Sequence, residues 1–363
     1  MKQAGKFREP EITRSLLNRL TSQVKRPLRI MEVCGTHTMS IFRHGIRSLL
    51  PPEVELLSGP GCPVCVTSAS HIDAFLEAAR LPGVTVATFG DLIRVPGATG
   101  SLASARAEGC RVEIVYSPMD ALELARREPE QTVLFPGIGF ETTAPTVAAT
   151  ILEARRLKLD NFCIIAAAKI MPPPLDQLMQ APDLNIDGLL CPGHVSAIIG
   201  TDAYAFLPKR YGLACAVAGF EPADIISGLV SLTDQINTGK PRVDNCYTRA
   251  VSSTGNLRAQ QLMELVFQAK DSEWRGLGIL PGSGLELRSE FAEFDACKRF
   301  GIRLRPSPEP KGCRCGDVLK GSILPTDCPL YSNRCTPLHP IGPCMVSSEG
   351  TCAAYYRYSD NTK

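Results

Sequence analysis

From residue 28 to about 240, short apolar runs rich in β-branched residues alternate with longer amphipathic segments, the pattern of βα units laid on a parallel sheet. The runs Leu28–Val33, Val54–Leu57, Val84–Phe89, Arg111–Val115, Thr132–Phe135, Phe162–Ala168, Ile186–Leu190 and Ala214–Val217 predict eight strands. Helical patterns follow several of them, at His71–Arg80, Met119–Arg127, Pro145–Arg156 and Pro222–Ile236. The intervening loops carry Gly, Pro, Thr or Cys. In open parallel sheets such loops gather at the carboxyl ends of the strands, where ligands bind.

A division near 117–131 gives two α/β lobes, 28–120 and 121–240, of about four strands each. An N-terminal helical segment, 1–27, precedes them. Beyond Lys240 the strand signal fades. Asn256–Ala269 reads as a helix with Asn256 as its N-cap, then comes the turn-rich GLGILPGSGLE and a second helix, Leu285–Phe300, so 241–305 is predicted to be a helical connecting segment. Arg303–Lys311 is a Pro-rich linker, and 306–363 has few long apolar runs and many turn residues. Such a segment needs a staple. The expected fold is therefore α/β, with two lobes of mostly parallel sheet flanked by helices around a cleft, and a C-terminal loop- and helix-rich domain.

Composition narrows the function. With 44% hydrophobic and 21% charged residues, the chain can bury a sizeable core. A formal charge of +2 gives no electrostatic case for nucleic acid or an anionic membrane as partner. No apolar run reaches the roughly 18 residues of a membrane span. The opening MKQAGKFREP is polar, unlike a secretory leader, so the cytoplasm is the expected compartment. The 15 cysteines among 363 residues are too few for a disulfide scaffold and generous for a reducing compartment, which points to thiol or metal chemistry. Cys110, Cys163, Cys191, Cys215, Cys246 and Cys297 are scattered singly beside apolar segments and read as packing residues.

The tail holds the densest group: Cys313, Cys315, Cys328, Cys335, Cys344 and Cys352. Four thiolates suffice for a 4Fe-4S cluster or a tetrahedral zinc. Taking Cys313, Cys328, Cys335 and Cys352 as ligands gives spacings of x14, x6 and x16 and leaves Cys315 and Cys344 as a redox pair. The two short CxxC knuckles of a zinc ribbon are absent, which favours iron–sulfur over zinc or a purely structural thiol group. Bacterial ferredoxin spacing is absent as well.

Two further cysteine loops sit at strand ends. Gly59-Pro60-Gly61-Cys62-Pro63-Val64-Cys65 follows the strand Val54–Leu57 and precedes a helical pattern. A CxxC at a helix N-terminus suits thiol–disulfide exchange, because the helix dipole favours a thiolate, and it equally suits two metal ligands. Gly and Pro on both sides predict an exposed turn. Cys34-Gly35-Thr36-His37-Thr38 ends the first strand; Cys34 has no thiol beside it and can act as nucleophile or as one soft ligand of iron or copper. His37 is placed to bond the thiolate or move a proton. The loop Pro136–Pro145, with Glu141, Thr142 and Thr143, follows a strand and opens a helix, so its N–H groups and hydroxyls can hold an anion. It lacks a full GxGxxG, and no GxxxxGK[ST] occurs, so nucleotide binding by a standard loop has no support. Cys191–Ser196 repeats the strand-end arrangement with His194. The candidates for chemistry are Cys34, Cys62, Cys65, His37, His194 and Glu141, with Gly35, Thr36, Thr38, Thr142, Thr143 and Ser196 lining the cleft. His44, His71 and His339 read as surface or helix-packing residues.

Taken together, MEVCGTHT at 31–38, GPGCPVC at 59–65, GFETTAP at 139–145, PGHVSAIIG at 192–200 and IGPCMVSSEGTCAAYY at 341–356 resemble the HypD family of nickel–iron hydrogenase maturation proteins. The motifs occur in the family's order from about residue 28 to the C-terminus. The resemblance implies two similar α/β lobes, a C-terminal 4Fe-4S domain, and a scaffold on which the Fe(CN)2CO moiety is assembled. It implies that Cys34 holds the iron together with a cysteine of a HypC-type chaperone. It further implies that Cys62 and Cys65 are redox-active, that the cluster supplies or accepts electrons, and that a HypE-type protein docks to deliver cyanide. The tail also looks like that of ferredoxin–thioredoxin reductase. From the CxxC and tail alone, the other readings are an iron–sulfur-dependent protein disulfide reductase and a zinc-stapled adaptor.

Overall fold

All eight predicted strands form in the computed structural model, which describes residues 9–181 and 184–358. They are β1 (Leu28–Glu32), β2 (Val54–Ser58), β3 (Val84–Thr88), β4 (Arg111–Ile114), β5 (Thr132–Gly137), β6 (Phe162–Ala166), β7 (Gly188–Pro192) and β8 (Ala214–Ala218). A short strand β9 (Val243–Asn245) is not among those expected, because its three half-buried residues carry no apolar run. Two parallel sheets result, one in the order β2-β1-β7-β8-β9 and the other β4-β3-β5-β6. Central strands such as β3 and β8 are buried at every position, as a parallel sheet covered on both faces requires.

The sheets do not part at 117–131. That position falls inside the second sheet, between β4 and β5, while β1 and β2 join β7, β8 and β9 to make the first. The chain thus leaves one sheet after β2 and returns at β7, where Ile30 pairs with Gly188 and Glu32 with Leu190. Periodicity reports that a segment is a strand and is silent on its partner. One apolar cluster joins both sheets, with Met31, Leu57, Leu189 and Val217 from the first and Val86, Leu134 and Ile165 from the second.

The segment 241–305 is not a helical connection. Asn256 does cap a helix, its Oδ1 accepting the Ala259 N–H at 3.1 Å, but that helix, Leu257–Val266, stops at Val266. There the chain enters an antiparallel hairpin, β10 (Phe267–Trp274) and β11 (Gly278–Leu287). The expected helix Leu285–Phe300 is instead the end of β11, a 3-10 turn over Ser289–Phe294 and a short helix, Ala296–Phe300, capped by Asp295. Leu285 and Leu287 alternate on one face against Phe267 and Ala269, so the period of two overrides the helical spacing seen further along.

At the N-terminus the helix Pro10–Gln23 packs on Pro222–Thr238. The tail forms short helices, Cys315–Leu319, Pro343–Val346 and Thr351–Tyr358. Thr351–Tyr358 lies on the helix Gly35–Arg43, with the Phe42 and Tyr355 rings 4.7 Å apart. Among the described residues no helix is long and apolar enough to cross a membrane.

Candidate metal and redox site

Cys34 sits two residues past β1 and is the N-cap of the helix Gly35–Arg43. Its backbone N–H donates to Glu32 Oε2 at 3.0 Å, and Thr38 Oγ1 donates to Glu32 Oε1 at 2.5 Å. Burial raises the Glu32 carboxyl to about 7, against these hydrogen bonds. The Cys34 side chain is buried, and burial followed by the Glu349 carboxylate pushes its thiol up to about 12, although the His37 and Thr36 backbone N–H groups reach the sulfur and oppose this. A thiol flanked by two acids keeps its proton when alone. A divalent cation reverses the balance, because metal ligation displaces the proton.

The CxxC loop is pressed onto this cysteine. Gly59 N–H donates to Glu32 O at 2.7 Å, and Gly35 N–H donates to Gly61 O at 3.0 Å. A Cβ on Gly61 would lie 2.2 Å from the Cys34 nitrogen and 2.3 Å from the Val33 carbonyl carbon. Cys62 caps the one-turn helix Pro63–Val66, its sulfur accepting the Cys65 N–H at 3.2 Å, and the two cysteines form a disulfide. The exposed turn expected at this loop is not found. Cys62 is 3% and Cys65 0% exposed, because Gly61 lets the loop sink against Cys34 while the tail helix Pro343–Val346 packs over Pro63–Val66.

The other candidates divide between the cleft and the interior. His37 is fully buried, and its Nε2 faces Gly219 O at 2.9 Å and Ala218 O at 3.2 Å. Two carbonyls require Nε2 to carry the proton. Burial lowers its pKa to about 4, against the pull of those carbonyls. The imidazole therefore ties the Cys34 helix to the end of β8, and the His37 backbone, not its ring, serves the sulfur. His194 is exposed, with Phe220 between it and His37 at ring distances of 4.0 and 4.9 Å; desolvation of its ring lowers its pKa. Ser196 does not line the cleft: it is buried, its Oγ donating to Pro192 O at 2.7 Å and hydrogen-bonded with the Tyr204 hydroxyl at 3.1 Å. Thr142 is exposed, while Thr143 lines a cavity of about 390 Å³. Pro63 and Val64 of the CxxC loop, Asp91 after β3, Ile138 after β5 and Glu349 of the tail close the same cavity.

Glu141 is buried beside it. Oε1 accepts the Met171 N–H at 2.8 Å, Oε2 has no partner, and burial raises the carboxyl from 4.5 to about 7. The folded chain thus holds a proton that the unfolded chain releases between these values, so stability falls as pH rises across that window and is level above it. Glu141→Gln removes the effect. In urea denaturation the variant is expected to gain stability over the parent between pH 5 and pH 8, by up to about 3 kcal/mol. Parallel curves for the two proteins would contradict the buried neutral acid.

In the tail all six cysteines line one narrow pocket with Val318, Leu330 and Tyr331. Burial above all raises Cys313 to about 11, with Cys328, Cys335 and Cys344 adding to the effect. Cys344 is the joint of the group and has the lowered thiol, because it is hydrogen-bonded by the Cys315 and Cys352 side chains. Backbone N–H groups also reach sulfur, Ile341 to Cys335 at 3.3 Å and Cys352 to Cys344 at 3.5 Å. Among the described residues no three His, Cys, Asp or Glu side chains are arranged to hold a single metal ion. The thiols surround the pocket; they do not converge on one point.

The hairpin turn links this pocket to the CxxC. Arg275 is buried, its N–H donating to Val66 O at 2.9 Å and its Nε to Thr67 O at 3.0 Å, and its charge acts on Cys315. Gly276, at φ +76°, lies against Gly316, where a Cβ would meet the Gly316 Cα at 2.1 Å. Sequence reasoning misses Glu32, Glu349, Asp91 and Arg275. For Glu32 a signal exists, an acid inside an otherwise apolar strand. Glu349 is visible only as part of the SSEG turn before Thr351.

A model of the family described as HypD, hydrogenase formation hypA family, matches residues 11–359. The chain is 46% identical to the hydrogenase maturation factor HypD of Azotobacter vinelandii, over 99% of this chain and 97% of that protein. Identity is also 46% to HypD of Escherichia coli K12, over 99% and 98%. The hydrogenase expression/formation protein HupD of Azotobacter chroococcum is 45% identical over 99% and 97%. With the CxxC loop packed on the Cys34 loop and six cysteines around one tail pocket, and with matches that run nearly end to end, this chain belongs to the HypD family of hydrogenase maturation factors.

Proposed function

We propose that this chain is a cytoplasmic scaffold on which the Fe(CN)2CO moiety of a nickel–iron hydrogenase is assembled, in complex with HypC-type and HypE-type proteins. The observation that carries the reading is the packing of the CxxC loop, through Gly61, directly onto the Cys34 loop. The two cysteines read as the redox pair thus adjoin Cys34, a buried thiol on which the Glu349 and Glu32 carboxylates act, surroundings that suit a cation. Iron is the cargo. Cys34 offers it a single soft thiolate, which leaves positions for diatomic ligands and for a cysteine of the HypC-type chaperone. Cyanide arrives from the HypE-type partner.

The tail suits a 4Fe-4S cluster. Six thiols enclose one pocket, Gly342 makes room for the Cys313 sulfur, to which a Cβ would come within 2.7 Å, and two backbone N–H groups point at sulfur. Zinc would need four sulfurs at ~2.3 Å from one point, whereas a cluster spreads its thiolates over separate irons. Cys313, Cys328, Cys335 and Cys352 are the ligands assigned, with Cys315 and Cys344, which are hydrogen-bonded to each other, as a second redox pair. When bound, the cluster supplies one-electron transfer. Two electrons and two protons convert the Cys62–Cys65 disulfide to two thiols, the electrons entering from a one-electron donor protein. The chain's part is to hold donor and acceptor together through the packing of Pro343–Val346 on Pro63–Val66. Burial of both CxxC sulfurs disfavours a reductase that acts on foreign disulfides, which requires an exposed thiol.

Copurified anoxically with a HypC-type partner, the parent chain is expected to show infrared bands of iron-bound cyanide and carbon monoxide, and Cys34→Ala to lose them. Bands of equal intensity in the variant would mean that Cys34 does not hold the iron.

A further inference from the structure

After Cys344 the tail turns back between the Cys34 loop and the loop after β3. Gly350 folds onto Cys344, where a Cβ would lie 2.1 Å from its carbonyl oxygen, so the segment Ser347–Gly350 ends against the backbone of a thiol-pocket cysteine. On one side Asp91, in the loop after β3, accepts from Ser348 Oγ at 3.0 Å and Ser348 N–H at 3.3 Å. On the other, Thr36 Oγ1 donates to Glu349 Oε1 at 2.6 Å. A Cβ on Gly35 would come within 2.6 Å of the Glu349 Cβ and 3.0 Å of its carbonyl oxygen, so the Cys34 loop and the tail are in van der Waals contact as well. The following helix continues the clasp, with Tyr355 against Phe42 and beneath the Arg47 guanidinium, 5.2 Å from the ring centre.

One segment therefore touches the loop after β3, the loop after β1 and the tail cysteines. We propose that Ser347–Gly350 is a strap and Glu349 a positioning residue, through which the tail pocket holds the Cys34 loop in the geometry that takes iron. This rests on the reading of Cys34 as the iron ligand. Folding of a metal-stapled domain is coupled to its metal, so a strap anchored at the pocket transmits the state of the tail to Cys34. Glu349 is the contact that makes the coupling specific, because its carboxylate bond to Thr36 is the polar link from the tail to the first turn of the Cys34 helix.

The test compares Glu349→Ala, Thr36→Val and the double variant in the full chain, purified anoxically with the tail absorption at roughly 400 nm as the control for folding. Amide hydrogen exchange over residues 33–43 reads the loop. Titration with Co²⁺, taken as the difference from Cys34→Ser, reads the ligand. Each single variant is expected to keep the tail absorption, to exchange roughly tenfold faster at 33–43 and to bind Co²⁺ roughly tenfold more weakly, the loss of one hydrogen bond to a charged group. The double variant should go no further than either single, since both remove the same interaction. Unchanged exchange in Glu349→Ala, or fully additive effects, overturns the strap. Absence of any Cys34-dependent Co²⁺ signal in the parent would instead overturn the iron reading, while the exchange comparison still decides the strap.

Discussion

Gly61→Ala is expected to cost about 3 kcal/mol or more, above the usual range for overpacking, because the added methyl has nothing soft to displace. Its three nearest neighbours are the Cys34 nitrogen at 2.2 Å, the Val33 carbonyl carbon at 2.3 Å and the Cys34 Cα at 2.4 Å, all backbone. Relief requires the two loops to separate, which breaks the Gly35 N–H bond to Gly61 O and moves the CxxC away from Cys34. The variant should therefore lose infrared-detectable iron together with stability. Gly83→Ala is the control, since Gly83 has a φ of +72° and nothing within 4 Å of an added Cβ. It should cost only roughly 1–2 kcal/mol, the strain of a left-handed residue. Urea midpoints for the two variants measure the difference. Equal midpoints would mean that the loops are not pressed together.

Alanine scanning of the tail is expected to split the six cysteines. Cys313→Ala, Cys328→Ala, Cys335→Ala and Cys352→Ala should lose nearly all absorption at roughly 400 nm, while Cys315→Ala and Cys344→Ala keep it. Loss of a ligand should also unfold the tail, since so few of its residues form regular elements that metal binding supplies much of its stability. Limited proteolysis should then cut first in the stretch around the Pro-rich linker. Absorption lost in all six variants would remove the second redox pair. Absorption kept in Cys352→Ala and lost in Cys344→Ala would exchange their roles, which the central position of Cys344 makes the informative alternative.

Much of the fold is legible because a parallel strand buried on both faces must be a short continuous apolar run, and the inner strands stand out as such, while the edge strand β4 is buried only at Val112. The failures share a cause. β9 is a short edge strand with no fully buried position, and in β10 and β11 the apolar residues alternate irregularly around a bulge between Lys270 and Ser272. Neither produces a clean signal, because a bulge shifts the side chains that follow it to the other face. For the site, the cysteines are legible as chemistry because Gly, Pro and Cys concentrated at strand ends have few packing reasons to be there. Their burial is not, since Gly61 reads as flexibility in sequence and acts as a contact surface in the fold.

The sequence by itself determined the eight strands β1 to β8, where the loops of chemical interest lie, and that six thiols crowd the tail, since each of these is a property of residues close along the chain. Only the tertiary structure decided that β1, with β2 on one side, takes β7 as its other neighbour while β3 starts a second sheet, and that Glu349 and Arg275 belong beside Cys34 and Cys315. Such pairings depend on which surfaces exclude water together, a long-range choice that no local spacing encodes.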